Sequence, residues 1–154
     1  MIHNKLDGQP NIYDISPASL QFLHMSAQIE CIDKVIRPTF DGKSNGYVIL
    51  DRYWWSTYAY GRLNMDKKTA LAICQVEVMF WRNIPNPVIF YMTRKHTLKK
   101  DELNVSIQEK LRKTYKEIVD IQSKNGIEIH IINNDGSIED TWQEIIKKLQ
   151  SSNL

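Results

Sequence analysis

Apolar residues recur at three- and four-residue steps along two stretches in the first half of the chain, and this spacing predicts two helices. The first helix begins at Ser16, an N-cap followed by the first-turn proline Pro17, and stops at Pro38. The second is preceded by Asp66, a typical N-cap, and continues to about Trp81. Many of its positions are apolar, so we expect this helix to be buried on more than one side.

Short apolar runs predict three buried strands, at 47–50, 88–92 and 127–132. Helical spacing returns at about 104–124 and again from about Ser137 to near the end of the chain. Helices and strands therefore alternate, and each strand is joined to the next by a helix. This order is typical of a parallel sheet with helices on both faces, and it predicts a three-layer α/β fold.

The composition is that of one globular domain: 154 residues, of which 42% are hydrophobic and 25% are charged. We expect a loose N-terminal arm at 1–15, the domain at 16–150 and a tail at 151–154. No apolar run approaches the roughly 20 residues that a membrane-spanning helix needs, and the first residues show no signal pattern. We therefore expect a cytoplasmic protein without membrane contact.

The charge pattern argues against a nucleic-acid partner. The net charge of +2 is small, and Lys and Arg residues are spread among acids. The two cysteines, Cys31 and Cys74, lie in apolar helical surroundings and lack the close spacing of a metal or redox pair. We interpret both as small core residues, and we predict no metal site built from the chain alone.

The segment after the first predicted strand carries the residue types of a nucleotide site. Ligands bind beyond the carboxyl ends of strands in an open parallel sheet, and Asp51 and Arg52 stand directly after 47–50. Hydroxyls and several aromatic rings follow within 51–61, beside a guanidinium suited to phosphate. The alternative is structural: an ion pair between Asp51 and Arg52 at a strand end, with the rings filling a small hydrophobic cluster.

This segment resembles the signature of the thymidylate kinase family, in which a strand ends in Asp-Arg and Ser, Thr, Ala and Tyr follow. Their offsets are held here by Ser56, Thr57, Ala59 and Tyr60. The sequence VIRP at 35–38 and the glycine-containing turn before the strand fit the family as well. The resemblance extends over about residues 16–149 and implies a P-loop kinase fold that transfers phosphate from ATP to dTMP with Mg²⁺.

The resemblance also implies a role for each matching residue. Arg52 would contact the monophosphate of the acceptor, and Asp51 would lie beside the metal ion and that phosphate. Tyr60 would lie against the deoxyribose, where its ring leaves little room for a 2′-hydroxyl, and Ser56 would serve the base or orient its neighbours. Phosphoryl transfer depends mainly on positioning and charge stabilisation, so such residues matter as much as a base.

The preceding helix departs from the family, which has there a Phe that stacks on thymine and an Arg four residues later. The matching positions are His24 and Gln28, which share one helical face. Gln28 is able to read a base edge and His24 to stack on it, so the preferred base stays open. Alternatively, both are polar positions on a half-exposed helix.

The family's arginine-rich lid over the ATP phosphates is matched by a shorter segment that contains mostly lysine. Its candidate phosphate ligands are Arg94, Lys95 and Lys99. Lysine neutralises phosphate but lacks the planar fork of arginine. The alternative for this charged run is a solvated surface loop.

No G-x-x-x-x-G-K-[ST] phosphate loop occurs in the sequence, since DGKS at 41–44 lacks the first glycine and precedes a strand. The resemblance implies that the first two strands and the ATP loop are missing, and that one of those strands belongs between 47–50 and 88–92. We expect a gap there, a substitute strand from 9–14 or a swapped partner strand. We also expect no useful transfer from ATP by the chain alone.

Three functions remain open. In the first, the chain is the greater part of a kinase that another segment or polypeptide completes. In the second, it is a non-catalytic remnant that binds a nucleotide or protein. In the third, which only Gln28 favours, it is a deoxynucleoside kinase relative. The resemblance further implies a homodimer through helices. The apolar surface around Val76, Phe80 and Trp81 suits such a dimer, although core packing explains the same residues equally well.

Overall fold

The computed structural model describes residues 15–41, 47–82, 84–85, 87–95 and 105–152. Its helices and strands, in chain order, are α1 (Pro17–Cys31), α2 (Arg37–Asp41), α3 (Trp54–Asn64), α4 (Lys67–Phe80), β1 (Ile89–Thr93), α5 (Val105–Lys124), β2 (Ile129–Asn133) and α6 (Ile138–Ser151). Several predicted features lie outside the described residues: the arm up to residue 14, the substitute strand at 9–14, most of 41–44 and Lys99.

The first helix begins as predicted and extends further than predicted. The hydroxyl of Ser16 accepts a hydrogen bond from the Ser19 N–H at 3.1 Å, which caps α1. The predicted stop at Pro38 is wrong, because a π-helical turn at Ile32–Ile36 connects α1 to α2 and Pro38 lies inside α2. Such a turn shifts the hydrogen-bond register just before a proline that has no N–H to donate, so the helix continues past it.

Helix α4 confirms its predicted bounds and corrects its predicted burial. The Asp66 carboxylate accepts hydrogen bonds from the N–H groups of Lys68 at 2.8 Å and Thr69 at 3.0 Å. The buried side chains of α4 recur at helical steps on one face: Ala70, Ile73, Cys74 and Glu77. Burial on more than one side is wrong, since the other faces of α4 carry exposed apolar side chains, such as Leu71, Val76 and Met79, the last with 58% exposure.

The second and third predicted strands are confirmed as a parallel pair. Strands β1 and β2 run in register from Ile89 opposite Ile129 to Thr93 opposite Asn133. In the described part of the chain they form a two-stranded sheet, and the other strand of the predicted set is not part of it. The observed architecture is therefore mostly helical with a small parallel sheet, which is consistent with an α/β kinase-like fold.

The first predicted strand, at 47–50, is wrong. These residues form no strand, and the side chains of Tyr47 and Ile49 are 80% and 94% exposed. A strand needs a neighbour for its backbone N–H and C=O groups, and no described segment pairs with this run. Residues 47–50 are therefore not paired with β1 either. Direct pairing of the two would have contradicted the predicted order, in which another strand lies between them.

The main core lies between α3, α4, α5 and one face of the sheet. Its buried members are Trp55, Tyr58, Ala59, Ala70, Cys74, Leu111, Ile118 and Val119. Alternate strand residues pack against this cluster, namely Ile89 and Tyr91 of β1 and Ile129 of β2. This packing fixes α3, which follows Asp51 and Arg52, relative to the sheet.

The last helix closes the described chain through a reciprocal cap. The Ser137 hydroxyl accepts from the Asp140 N–H at 3.1 Å, and the Asp140 carboxylate accepts from the Ser137 N–H at 3.1 Å. Helix α6 then packs against β2. Among the described helices, none combines the length and apolar character needed to cross a membrane.

Candidate functional site

The segment predicted to carry chemistry becomes a helix almost at once. Tyr53 has an extended backbone, and its carbonyl accepts a hydrogen bond from the Ser56 N–H at 2.8 Å, which starts α3. Asp51 and Arg52 are exposed just before this start. Ser56 and Tyr60 follow one turn apart on the same side of α3, so the helix presents both toward one neighbourhood.

Arg52 and Tyr60 lie together in this site. The guanidinium carbon of Arg52 is 5.2 Å from the centroid of the Tyr60 ring, which is within cation–π distance. Hydrogen bonding to Tyr60 is the main cause that raises the pKa of the Arg52 guanidinium, and burial opposes it. The Tyr60 side chain therefore holds the guanidinium through its ring and its hydroxyl, while Arg52 as a whole remains exposed.

Ser56 contacts a residue that the sequence did not assign to the site. Its hydroxyl lies 2.8 Å from the hydroxyl of Tyr115, which comes from α5. Burial raises the pKa of Tyr115, and Arg52 and Tyr60 are also close enough to influence it. The signal available in the sequence was weak: a tyrosine on a buried helix face needs a polar partner, but its spacing does not identify that partner.

Buried polar contacts hold α3 through Thr57, the residue after Ser56. Thr57 donates its hydroxyl hydrogen to the Glu77 carboxylate at 2.5 Å, and its backbone carbonyl accepts from the Gln21 amide at 2.8 Å. All three residues are less than 10% exposed. Gly61 of α3 leaves room for the Gln21 side chain of α1, since a Cβ at position 61 would lie 3.2 Å from Nε2 of Gln21.

The structure places His24 and Gln28 on α1, outside the Arg52 and Tyr60 contact. His24 is exposed and Gln28 is half-buried. Both share a helical face with Gln21, whose side-chain amide donates to the Thr57 carbonyl of α3. Their predicted role toward a base remains a prediction.

The candidate lid residues lie at the carboxyl end of β1, fixed to the turn after β2. Arg94 donates through Nε to the Asn134 carbonyl at 2.8 Å, and the Lys95 N–H donates to Asp135 at 2.8 Å. A cavity of about 340 Å³ opens beside Arg94, between β1 and α5. Lys99 is outside the described residues.

The structural alternative for the signature segment was an ion pair between Asp51 and Arg52, with the aromatic rings in a hydrophobic cluster. Only the ring cluster is observed. The rings do form a cluster, in which Tyr53 and Trp81 are 4.7 Å apart and edge-on, and Trp54 and Trp55 are 6.3 Å apart. The ion pair of that alternative is not among the pairs that the described residues form, which are Arg37 with Asp33 and His130 with Glu128. The charge of Asp51 nevertheless contributes to the raised pKa of Arg52, although less than Tyr60 does.

Comparisons with known proteins give one informative similarity. No protein-family model matches the chain, and no solved structure matches it. The thymidylate kinase of Mycoplasmopsis agalactiae is 29% identical to it, in a match that covers 88% of this chain and 66% of the relative. The chain thus spans about two thirds of the length of that kinase. The similarity points to the thymidylate kinase family and to a nucleotide-kinase-like protein.

Proposed function

We propose that this chain forms the monophosphate-binding part of a thymidylate-kinase-like enzyme that transfers a phosphoryl group from ATP to dTMP once complete. The observation that carries the proposal is the contact between Arg52 and Tyr60 at the start of α3. Arginine pairs with phosphate oxygens through two parallel N–H groups, and an aromatic ring packs well against a sugar or base. Arg52 would bind the acceptor phosphate, and Tyr60 would lie against the deoxyribose.

The contact that holds Ser56 also suits nucleotide binding. Ser56 is held by Tyr115, so its hydroxyl is fixed in the same neighbourhood as Arg52. Fixed donors bind a ligand with less loss of side-chain entropy than mobile ones do. Asp51 is exposed next to Arg52, where its carboxylate would face the metal and the acceptor phosphate. In the complete enzyme we expect further strands to extend the sheet, with helices on both of its faces, as in a three-layer fold.

The fit to Mg²⁺ and ATP is partial. Magnesium is commonly held by one or two carboxylates together with substrate phosphates and water, and Asp51 offers one such carboxylate. Within the described ranges, no group of three or more His, Cys, Asp and Glu side chains is arranged to hold a metal. The 154 residues contain no G-x-x-x-x-G-K-[ST] loop for the donor phosphates, so that part would come from another segment or polypeptide.

Calorimetric titration with dTMP tests the acceptor site. We expect Arg52→Ala to weaken binding about tenfold or more, because each charge-assisted contact contributes about 1.5–3 kcal/mol. Arg82→Ala is the matched control, since Arg82 is an exposed arginine beyond the end of α4. Equal binding by the parent and Arg52→Ala would contradict the role of Arg52.

A coupled ADP-release assay tests the division of the enzyme into parts. The chain is incubated with ATP, Mg²⁺ and each deoxynucleoside monophosphate in turn, with and without a separately made N-terminal family segment. Activity only in the mixture supports the proposal. Turnover by the chain alone that disappears in Asp51→Ala shows that the chain already contains a donor site and rejects it.

The second candidate function is a non-catalytic nucleotide- or protein-binding remnant. It is favoured by the lack of a phosphate loop in the sequence. Binding of dTMP without activity in any mixture would select it. A deoxynucleoside kinase relative would instead bind the nucleoside as tightly as its monophosphate, because the phosphate contact of Arg52 would not contribute.

A further inference from the structure

We propose that Glu77 is a positioning residue of the acceptor site, which it holds in shape through Thr57 and Trp81. The inference rests on the proposed function for its consequence in ligand binding. Glu77 lies on α4, outside the signature segment at 51–61. Its effect would reach the ligand through the segment that contains Arg52 and through α3.

The environment of Glu77 is unusual for a carboxylate. The residue is 1% exposed, and among the described ion pairs none includes it. Burying a carboxyl group without a cation is costly unless hydrogen bonds compensate, and burial raises the pKa of Glu77. A hydrophobic residue would fill the same space at lower cost, so the carboxyl group needs a reason that packing does not give.

The hydrogen bonds of Glu77 supply that reason. One carboxylate oxygen accepts from the Thr57 hydroxyl at 2.5 Å, and the other lies 3.5 Å from the indole nitrogen of Trp81. The first contact is short, whereas the second is at the weak end of the range. Glu77 thereby connects α4 to the first turn of α3 and contacts Trp81 at the end of its own helix.

Both connections lead to the candidate site. Thr57 follows Ser56 directly, so fixing Thr57 fixes the turn of α3 that presents Ser56 toward Tyr115. The Trp81 ring packs edge-on against Tyr53 at 4.7 Å, and Tyr53 is the neighbour of Arg52. The Glu77 carboxyl group therefore acts on Ser56 through Thr57. It acts on Arg52 through Trp81 and Tyr53.

The contact with α1 completes this arrangement. The Thr57 carbonyl accepts from the Gln21 amide at 2.8 Å, so Thr57 is held between α1 and α4. Helix α1 also carries the candidate base-contacting residues His24 and Gln28. We infer that Glu77 orients the acceptor site as a unit, because it restrains the residue that joins both helices to α3.

Matched substitutions separate positioning from packing. Glu77→Met has a similar volume and removes both acceptor oxygens, whereas Glu77→Gln keeps one amide oxygen for the Thr57 hydroxyl. Thr57→Val and Thr57→Ser form a second pair, without and with the hydroxyl, and they decide the question if Glu77→Met does not fold. Gln75→Met is the control on an exposed position of α4.

The first measurement needs no ligand. Two-dimensional ¹H–¹⁵N NMR spectra are compared for the backbone amides of Arg52, Ser56 and Tyr60 and for the Trp81 indole N–H, assigned with Trp81→Phe. We expect the Arg52, Ser56 and Tyr60 amide signals to move in Glu77→Met and Thr57→Val and to stay near the parent in Glu77→Gln and Thr57→Ser. The Trp81 indole signal should move in both Glu77 variants, because a single amide oxygen cannot accept from both Thr57 and Trp81. Unmoved signals at Arg52 and Ser56 in a folded Glu77→Met, or equal shifts in Glu77→Gln, overturn the proposal.

The second measurement is calorimetric titration of the same variants with dTMP. We expect about five- to tenfold weaker binding in Glu77→Met, the change typical of one or two lost hydrogen bonds, and recovery in Glu77→Gln. Parental affinity in Glu77→Met overturns the proposal. If the parent itself does not bind dTMP, the proposed function is rejected, and the NMR comparison still decides whether Glu77 orients the segment.

Discussion

The guanidinium carbon of Arg52 lies 5.2 Å from the centre of the Tyr60 ring, so the only cation in the signature segment before α3 is placed over an aromatic face of that helix. An exposed arginine samples many rotamers in water, and a ring beneath it reduces their number. The contact therefore prepares Arg52 for an anion before the anion arrives.

Substitution of Tyr60 is expected to test this contact directly. Tyr60→Leu removes the ring, and a cation–π contact at an exposed site contributes about 0.5–1 kcal/mol, so dTMP affinity should fall about two- to fivefold. Tyr60→Phe keeps the ring and should retain most of the affinity. Calorimetric titration measures both, and an equal loss in the two variants would assign the effect to the hydroxyl instead.

The Ser56 and Tyr115 hydroxyls are expected to be coupled in stability. A double-mutant cycle with Ser56→Ala and Tyr115→Phe should give a coupling of about 0.5–1.5 kcal/mol in the free energy of unfolding, the usual contribution of one hydrogen bond. Urea denaturation followed by circular dichroism measures it. Tyr91→Phe, on the neighbouring ring 6.3 Å away, combined with Ser56→Ala is the control and should be additive.

The two cysteines are expected to differ in reactivity. Burial raises the pKa of Cys74 to about 12, so at pH 8 only about one thiol in ten thousand is ionised, and the side chain is 1% exposed. Cys31 is half-buried. A chromogenic thiol reagent should therefore modify Cys31 first, and Cys31→Ser should react slowly until urea is added. Rapid reaction of folded Cys31→Ser would contradict the buried position of Cys74.

The acid stability of the chain should depend on Glu128. Hydrogen bonding from Ser152 is the main cause that lowers the pKa of Glu128 below its ordinary value of 4.5, and His130 adds to the effect. A lowered pKa in the folded state means that this stabilisation is present above pH 4.5 and is lost as the pH falls through the folded-state value.

Thermal unfolding between pH 6 and pH 3 measures this dependence. The difference in melting temperature between the parent and Glu128→Gln should be largest near pH 6 and should decrease as the pH falls below 4.5. Glu117→Gln, at an exposed position of α5, serves as the control. A constant difference between the parent and Glu128→Gln across this range would exclude the titration of Glu128 as its cause.

Local signals explain which elements were predictable. The caps at Ser16, Asp66 and Ser137 act on N–H groups two or three residues away, so their pattern in the sequence predicts where α1, α4 and α6 begin. The apolar runs at 88–92 and 127–132 likewise predict β1 and β2. Helix α3 was not predicted, because its aromatic and hydroxyl residues have weak helix propensity and its packing against α4 and α5 supplies the stability.

The candidate site was predictable only in part. The Asp51 and Arg52 signature and its offsets indicate residues, but they do not indicate which of them touch. Tyr115 and Glu77 come from other helices, and the sequence offered no spacing that relates them to Ser56 or Thr57. Contacts between residues far apart in the chain depend on how helices pack, and that packing is decided by the whole core.

The run at 47–50 shows the same division most clearly. The sequence by itself determined that this stretch is short, apolar and followed by charge, which is the pattern of a buried strand. Only the tertiary structure decided its state, because a strand exists through hydrogen bonds to a neighbour, and the described chain provides none beside it. Helices satisfy their backbone groups internally, so the capped helices α1, α4 and α6 could be predicted locally, whereas the extent of the sheet could not.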